Sequence, residues 1–150
     1  MAGSFRAGFD GGSRGNPGPA AWGVVVLDDQ GHPVSGHAGA IGRSTNNVAE
    51  YRALLEALAL AERAGASDVK LFADSELVVK QMRGEYKVRH PDLIPLHAEA
   101  KSRASRFPRF SLVHVPRERN KDADRLVNRA LNLGENARVE ERFDAPAAAE

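Results

Sequence analysis

Cysteine is absent from this chain of 150 residues, which rules out disulfides and thiolate metal ligands and is compatible with a reducing compartment. No apolar run approaches the ~20 residues that a membrane helix needs, so no membrane partner is expected. The N-terminus lacks the apolar core of a signal peptide, and the expected location is cytoplasmic. Neither charge sign dominates, with 21 Lys and Arg against 20 Asp and Glu for a net +1. No internal repeat is visible. A phosphate-binding loop is missing too: the glycine-rich stretch from Gly11 to Pro19 joins strand to strand and has no Gly-Lys-Ser/Thr, whereas phosphate loops lead into a helix. Ser13 and Ser75 have no histidine relay or elbow motif beside them, which removes serine nucleophile chemistry.

What is present describes one ordinary globular domain, with 42% hydrophobic and 27% charged residues and enough length to bury a core. The near-zero charge is uneven. Over residues 101–125 eight Lys or Arg stand against three acids, whereas five acids face two Arg over 134–150. A basic face of this kind suits an anionic polymer, although a solvated surface looks the same from charge alone.

Alternation and turn residues predict strands over 5–10, 22–27 and 33–40, joined by the glycine-rich loop and by Asp28-Asp29-Gln30-Gly31. A long amphipathic helix follows, capped by Asn46 or Asn47 and stopped at Gly65. A short strand over 69–73, helices over 75–82 and 93–105, a strand over 109–115 and a last helix from Asn120 complete the order. Residues 1–133 are expected to form the domain, and the acidic tail over 134–150 to be disordered. The order implies a mixed α/β sheet with helices on its faces.

Four acids stand out by position. Glu50 falls on the apolar stripe of the long helix, in register with Leu54, Ala57, Leu58 and Ala61. A carboxylate there needs a positive partner, an arginine or a cation. Asp10 and Asp74 close strands, where a turn or a cap explains each singly, and Asp124 lies in the first turn of the last helix. If the four converge they repel one another, and a hard divalent ion such as Mg²⁺ or Mn²⁺ resolves the repulsion.

The segments Phe9-Asp10-Gly11-Gly12-Ser13-Arg14-Gly15-Asn16-Pro17-Gly18-Pro19, Thr45-Asn46-Asn47-Val48-Ala49-Glu50, Ala73-Asp74-Ser75 and Asn120-Lys121-Asp122-Ala123-Asp124 closely resemble, in this order, the type 1 ribonuclease H family. The resemblance covers about residues 5–133. It implies a ribonuclease H-like α/β fold with a five-stranded mixed sheet and helices on both faces. It also implies endonucleolytic hydrolysis of the RNA strand of RNA–DNA hybrids, leaving 5′-phosphate and 3′-hydroxyl ends, by a monomer using two Mg²⁺ ions with Mn²⁺ as substitute. Asp10, Glu50, Asp74 and Asp124 match the metal-binding catalytic acids. Gly15 and Asn16 match the segment along the RNA minor groove, where 2′-hydroxyls identify RNA. Asn46 and Asn47 match residues touching the hybrid, Arg43 with Thr45 resembles the DNA phosphate pocket, and Glu76 stands where relatives carry glutamine.

Two departures matter. The loop before Asp124 reads Val115-Pro116-Arg117-Glu118-Arg119-Asn120, without the histidine many relatives carry, and Arg117 or Glu118 is expected to stand in. Residues 80–89 are short and lack the tryptophan of a basic protrusion that strengthens hybrid binding in relatives. His114 reads as a sheet residue, His32, His37, His90 and His97 as surface residues, and Trp22 as core. The competing reading is a hybrid-binding module of the same fold with little or no activity.

Overall fold

A computed structural model of the chain describes residues 3–144. Strands β1 (Ser4–Ser13), β2 (Gly18–Leu27) and β3 (Pro33–Ser44) form an antiparallel meander. Helix α1 (Asn46–Arg63) then crosses to β4 (Asp68–Ala73), which runs parallel to β1. Helices α2 (Glu76–Met82) and α3 (Ile94–Ala104) lead to β5 (Arg109–His114), parallel to β4. A 3-10 turn at Arg117–Arg119 precedes α4 (Lys121–Leu133), and β6 (Arg138–Arg142) pairs antiparallel with β3. The sheet order is β5-β4-β1-β2-β3-β6.

The α/β fold with helices on both faces is as expected, but the sheet has six strands among the described residues rather than five. The extra strand comes from the stretch read as disordered. Its composition is polar, but Val139 is buried beneath α4 and Glu141 accepts hydrogen bonds from Arg125 and Arg129. Alternation over so short a run is hidden by the acidic average around it. The other tail residues, 145–150, lie outside the described residues.

Two cores follow from strand alternation. Phe5, Ala7 and Phe9 of β1, with Trp22 and Val24, face α1, α2 and α3 and pack with Leu54, Leu58, Leu71 and Val79. On the opposite face Ala21, Val25 and Ala38 meet Ala123, Leu126, Val127 and Ala130 of α4. Burying one leucine such as Leu58 fully contributes about 1.5–3 kcal/mol.

Missing side chains set how close the helices come. A Cβ on Gly11 would lie 2.2 Å from the Ala49 carbonyl carbon, so only glycine lets the start of α1 press against β1. A Cβ on Gly23 would lie 2.7 Å from the Ala123 carbonyl oxygen, and Gly23 is the residue paired with Asp10. The first turn of α4 therefore settles directly over the Asp10 position. Thr45, rather than Asn46 or Asn47, caps α1: its hydroxyl accepts from the Val48 N–H at 3.3 Å. Asn46 is engaged elsewhere.

Candidate active site

Asp10 does not close a strand as expected, because β1 continues to Ser13. It lies one step beyond Phe9, whose pairing with Ala73 ends the ladder with β4. Asp74 follows β4 at that same level. Glu50, 9% exposed, comes from the start of α1, and Asp124 from the first turn of α4. Four separate elements thus deliver one carboxylate each to the end of the parallel ladder.

Their charges act on one another. Burial pushes the Asp10 carboxyl up to about 8, and the negative charges of Asp74, Glu50 and Asp124 push the same way. Asp124, from α4, is the last of these neighbours in weight. Burial pushes Glu50 up to about 7, opposed by hydrogen bonds from Ser75 and Asn46 and by the nearby Arg117 guanidinium. The positive partner expected for Glu50 is therefore partly supplied, but not by a contact ion pair.

Among the described residues, no three His, Asp or Glu side chains are aimed to hold a metal ion as they stand. Side-chain rotation re-aims carboxylate oxygens, whereas the fold fixes their backbone positions at the end of the parallel ladder. A set of carboxylate oxygens with excess negative charge, and with neither thiol nor imidazole, fits a hard divalent cation such as Mg²⁺ or Mn²⁺.

Around the acids Asn46 acts as a junction. Its Nδ2 donates to Glu50 Oε1 at 3.0 Å, its Oδ1 accepts from the Ser13 N–H at 3.3 Å, and its backbone N–H donates to Asn16 Oδ1 at 3.0 Å. Asn16, Thr45 and Asn47 line a small cleft of about 140 Å³ with His90 and Leu93. Gly15 sits in the exposed turn ahead of it at φ 109°. Arg43, two residues before Thr45, lines a neighbouring depression with Pro19, Leu131 and Glu135. Glu76 is exposed and paired with Lys80 at 2.9 Å. Arg117 is the loop residue close to Glu50, whereas Glu118 lines a depression with Arg6, Phe72 and Lys121.

Three residues were not legible as site components. Asn120, 5% exposed, donates its Nδ2 to the Phe9 carbonyl at 2.8 Å and to Asp74 Oδ2 at 3.3 Å. Arg14 donates to Asn132 Oδ1 at 2.7 Å, tying the glycine-rich turn to α4. His90 joins the small cleft. Their sequence signal was slight: Arg14 and Asn120 lie within matched motifs but carry ordinary turn and capping explanations, and His90 lies in no matched segment. His97 was read as a surface residue, but it is half-buried, with Nε2 3.1 Å from the Gln81 carbonyl and its ring edge-on to Tyr51. His114 ends β5 and Trp22 is buried, as expected.

A family model described as "Reverse transcriptase-like" matches residues 8–130. The chain is 51% identical over 124 residues to the bifunctional protein Rv2228c of Mycobacterium tuberculosis, covering 82% of this chain and 34% of that protein. It thus spans about a third of the length of the first curated relatives it matches. The solved structure of RNase H1 from Halobacterium salinarum superposes with a TM-score of 0.84 at 45% identity, covering 88% of this chain and 100% of that one. LC11-RNase H1, solved in complex with an RNA/DNA hybrid, superposes with a TM-score of 0.81 at 42% identity, covering 86% and 97%.

Proposed function

The chain belongs to the type 1 ribonuclease H family, and from that premise we propose that it is an endonuclease hydrolysing the RNA strand of RNA–DNA hybrids, leaving 5′-phosphate and 3′-hydroxyl ends. The observation that carries the reading is the placement of Asp10, Glu50, Asp74 and Asp124 by four elements at one end of the parallel ladder, where burial first, and the neighbouring acids after it, push the Asp10 carboxyl up to about 8. These four residues would hold Mg²⁺, or Mn²⁺ in its place. A pair of such ions supplies a nucleophilic water and neutralises the charge that builds on the phosphodiester oxygens.

The chain's own residues do the rest. Asn46 and Ser75 hold Glu50 by hydrogen bonds, and Asn46 ties that acid to the turn carrying Gly15 and Asn16. In this reading Gly15 and Asn16 follow the RNA minor groove, Asn46, Asn47 and Glu76 touch the hybrid, and Arg43 and Thr45 each meet a DNA phosphate. Of the two loop residues, Arg117 is the better placed to replace the histidine, since its guanidinium reaches the field at Glu50. A guanidinium is a fixed charge, so its role would be charge rather than proton transfer. Three of the acids are only half-buried, which suits a polymer lying across the surface better than a small molecule in a pocket. The working unit is taken as a monomer acting in the cytoplasm, to be checked by sedimentation and cell fractionation.

The experiment is incubation of a labelled hybrid, double-stranded RNA and duplex DNA with Mg²⁺, Mn²⁺ or a chelator. Metal-dependent cutting of the RNA strand in the hybrid alone is the expected result. Hybrid binding without cleavage would overturn the enzymatic reading in favour of a binding module.

A further inference from the structure

Asn120 stands where a helix cap is expected, yet its side chain makes no capping hydrogen bond to α4. The amide is turned away from the helix, into the sheet. It reaches the Phe9 carbonyl, which adjoins Asp10, at 2.8 Å and Asp74 Oδ2 at 3.3 Å. The backbone carbonyl of Asn120 accepts the Asp124 N–H at 3.2 Å. One buried residue therefore touches Asp74, the peptide beside Asp10, and the backbone of Asp124.

The orientation of this amide is fixed by chemistry. Both side-chain partners are acceptors, so the NH₂ group must face them; the flipped amide would set oxygen against oxygen. Space for it comes from Gly8 on the same face of β1, where a Cβ would lie 2.8 Å from Asn120 Oδ1. Alanine there would meet the far end of the amide rather than backbone, so the side chain must yield while the strand stays.

We propose that Asn120 is a positioning residue of the cation cradle, setting the aim of Asp74 and the spacing of Asp10 and Asp124, with Gly8 as the cavity that admits it. This rests on the reading that the four acids take divalent ions. Groups that orient metal-binding carboxylates typically cost about 10–100-fold in metal affinity when removed.

The test is calorimetric titration of Mn²⁺ into the full chain without hybrid, with kcat and KM measured separately. Asn120→Ala and Gly8→Ala should each weaken Mn²⁺ binding by about tenfold or more and lower kcat, leaving KM for the hybrid within about twofold. The double variant should be no worse than Asn120→Ala, because both substitutions act through one amide. Melting curves accompany each variant, and if Asn120→Ala does not fold, Gly8→Ala decides alone. Wild-type Mn²⁺ affinity in the variants, or additive losses in the double, would overturn the proposal. A wild-type chain that binds no Mn²⁺ would instead sink the reading of the acids themselves, with Asp74→Asn as the control for lost binding.

Discussion

At the scale of single residues the site is a balance of burial and repulsion. The Asp10 carboxyl rises from 3.8 to about 8 on folding. A group raised in the folded state contributes stability that is full below its unfolded value and lost as pH rises through the folded one. Asp10 therefore favours folding below about pH 4 and ceases to do so by about pH 8. Metal-free Asp10→Asn should melt higher than wild type at pH 8, by roughly 2–8 °C, and the difference should vanish near pH 4, as thermal scans in chelator will show. Asp74→Asn should keep hybrid binding in a gel-shift assay and lose roughly 10²–10³-fold or more in cleavage rate. The position of Glu50 could be read from periodicity because it shares a stripe with leucines. Asn120 could not, because its burial depends on Gly8, more than a hundred residues earlier in the chain.

Elements succeed or fail together at their contacts. Gly11→Ala would drive a Cβ to 2.2 Å from the Ala49 backbone and push α1 off β1. A loss of about 3 kcal/mol or more is expected, with activity falling alongside, since Glu50 moves with the helix; denaturant unfolding measures it. The sixth strand is a second case. Deleting residues 135–150 removes the buried Val139 and the Glu141 pairs to Arg125 and Arg129 on α4, and should cost about 2–4 kcal/mol in the same assay. Strand and helix types were legible because alternation and the 3.6-residue stripe are local signals. The sixth strand was not: its pattern is short, and its stability comes from partners on α4 and β3. The cap of α1 fell at Thr45 because Asn46 is held by tertiary partners, leaving Thr45 to serve the helix.

For the whole molecule the question raised by the proposed function is how a nearly neutral chain would hold a polyanion. The cations a hybrid's phosphates would meet are the basic residues of 101–125 and of the short segment over 80–89, where Lys80 is already occupied by Glu76 and Tyr86. Hybrid affinity should be modest and should fall by at least about tenfold between roughly 50 and 200 mM salt, as fluorescence anisotropy would record; a flat profile would contradict it. The measurement that bears most directly on the acid cradle is proton release on Mn²⁺ saturation at pH 7, followed in buffers of different ionisation enthalpy. With Asp10 pushed up to about 8 and Glu50 to about 7, each wild-type chain should release about one proton or more, and Asp10→Asn clearly less. Saturable Mn²⁺ binding with no proton released, equal in the two proteins, would show that these carboxylates do not form the cation site.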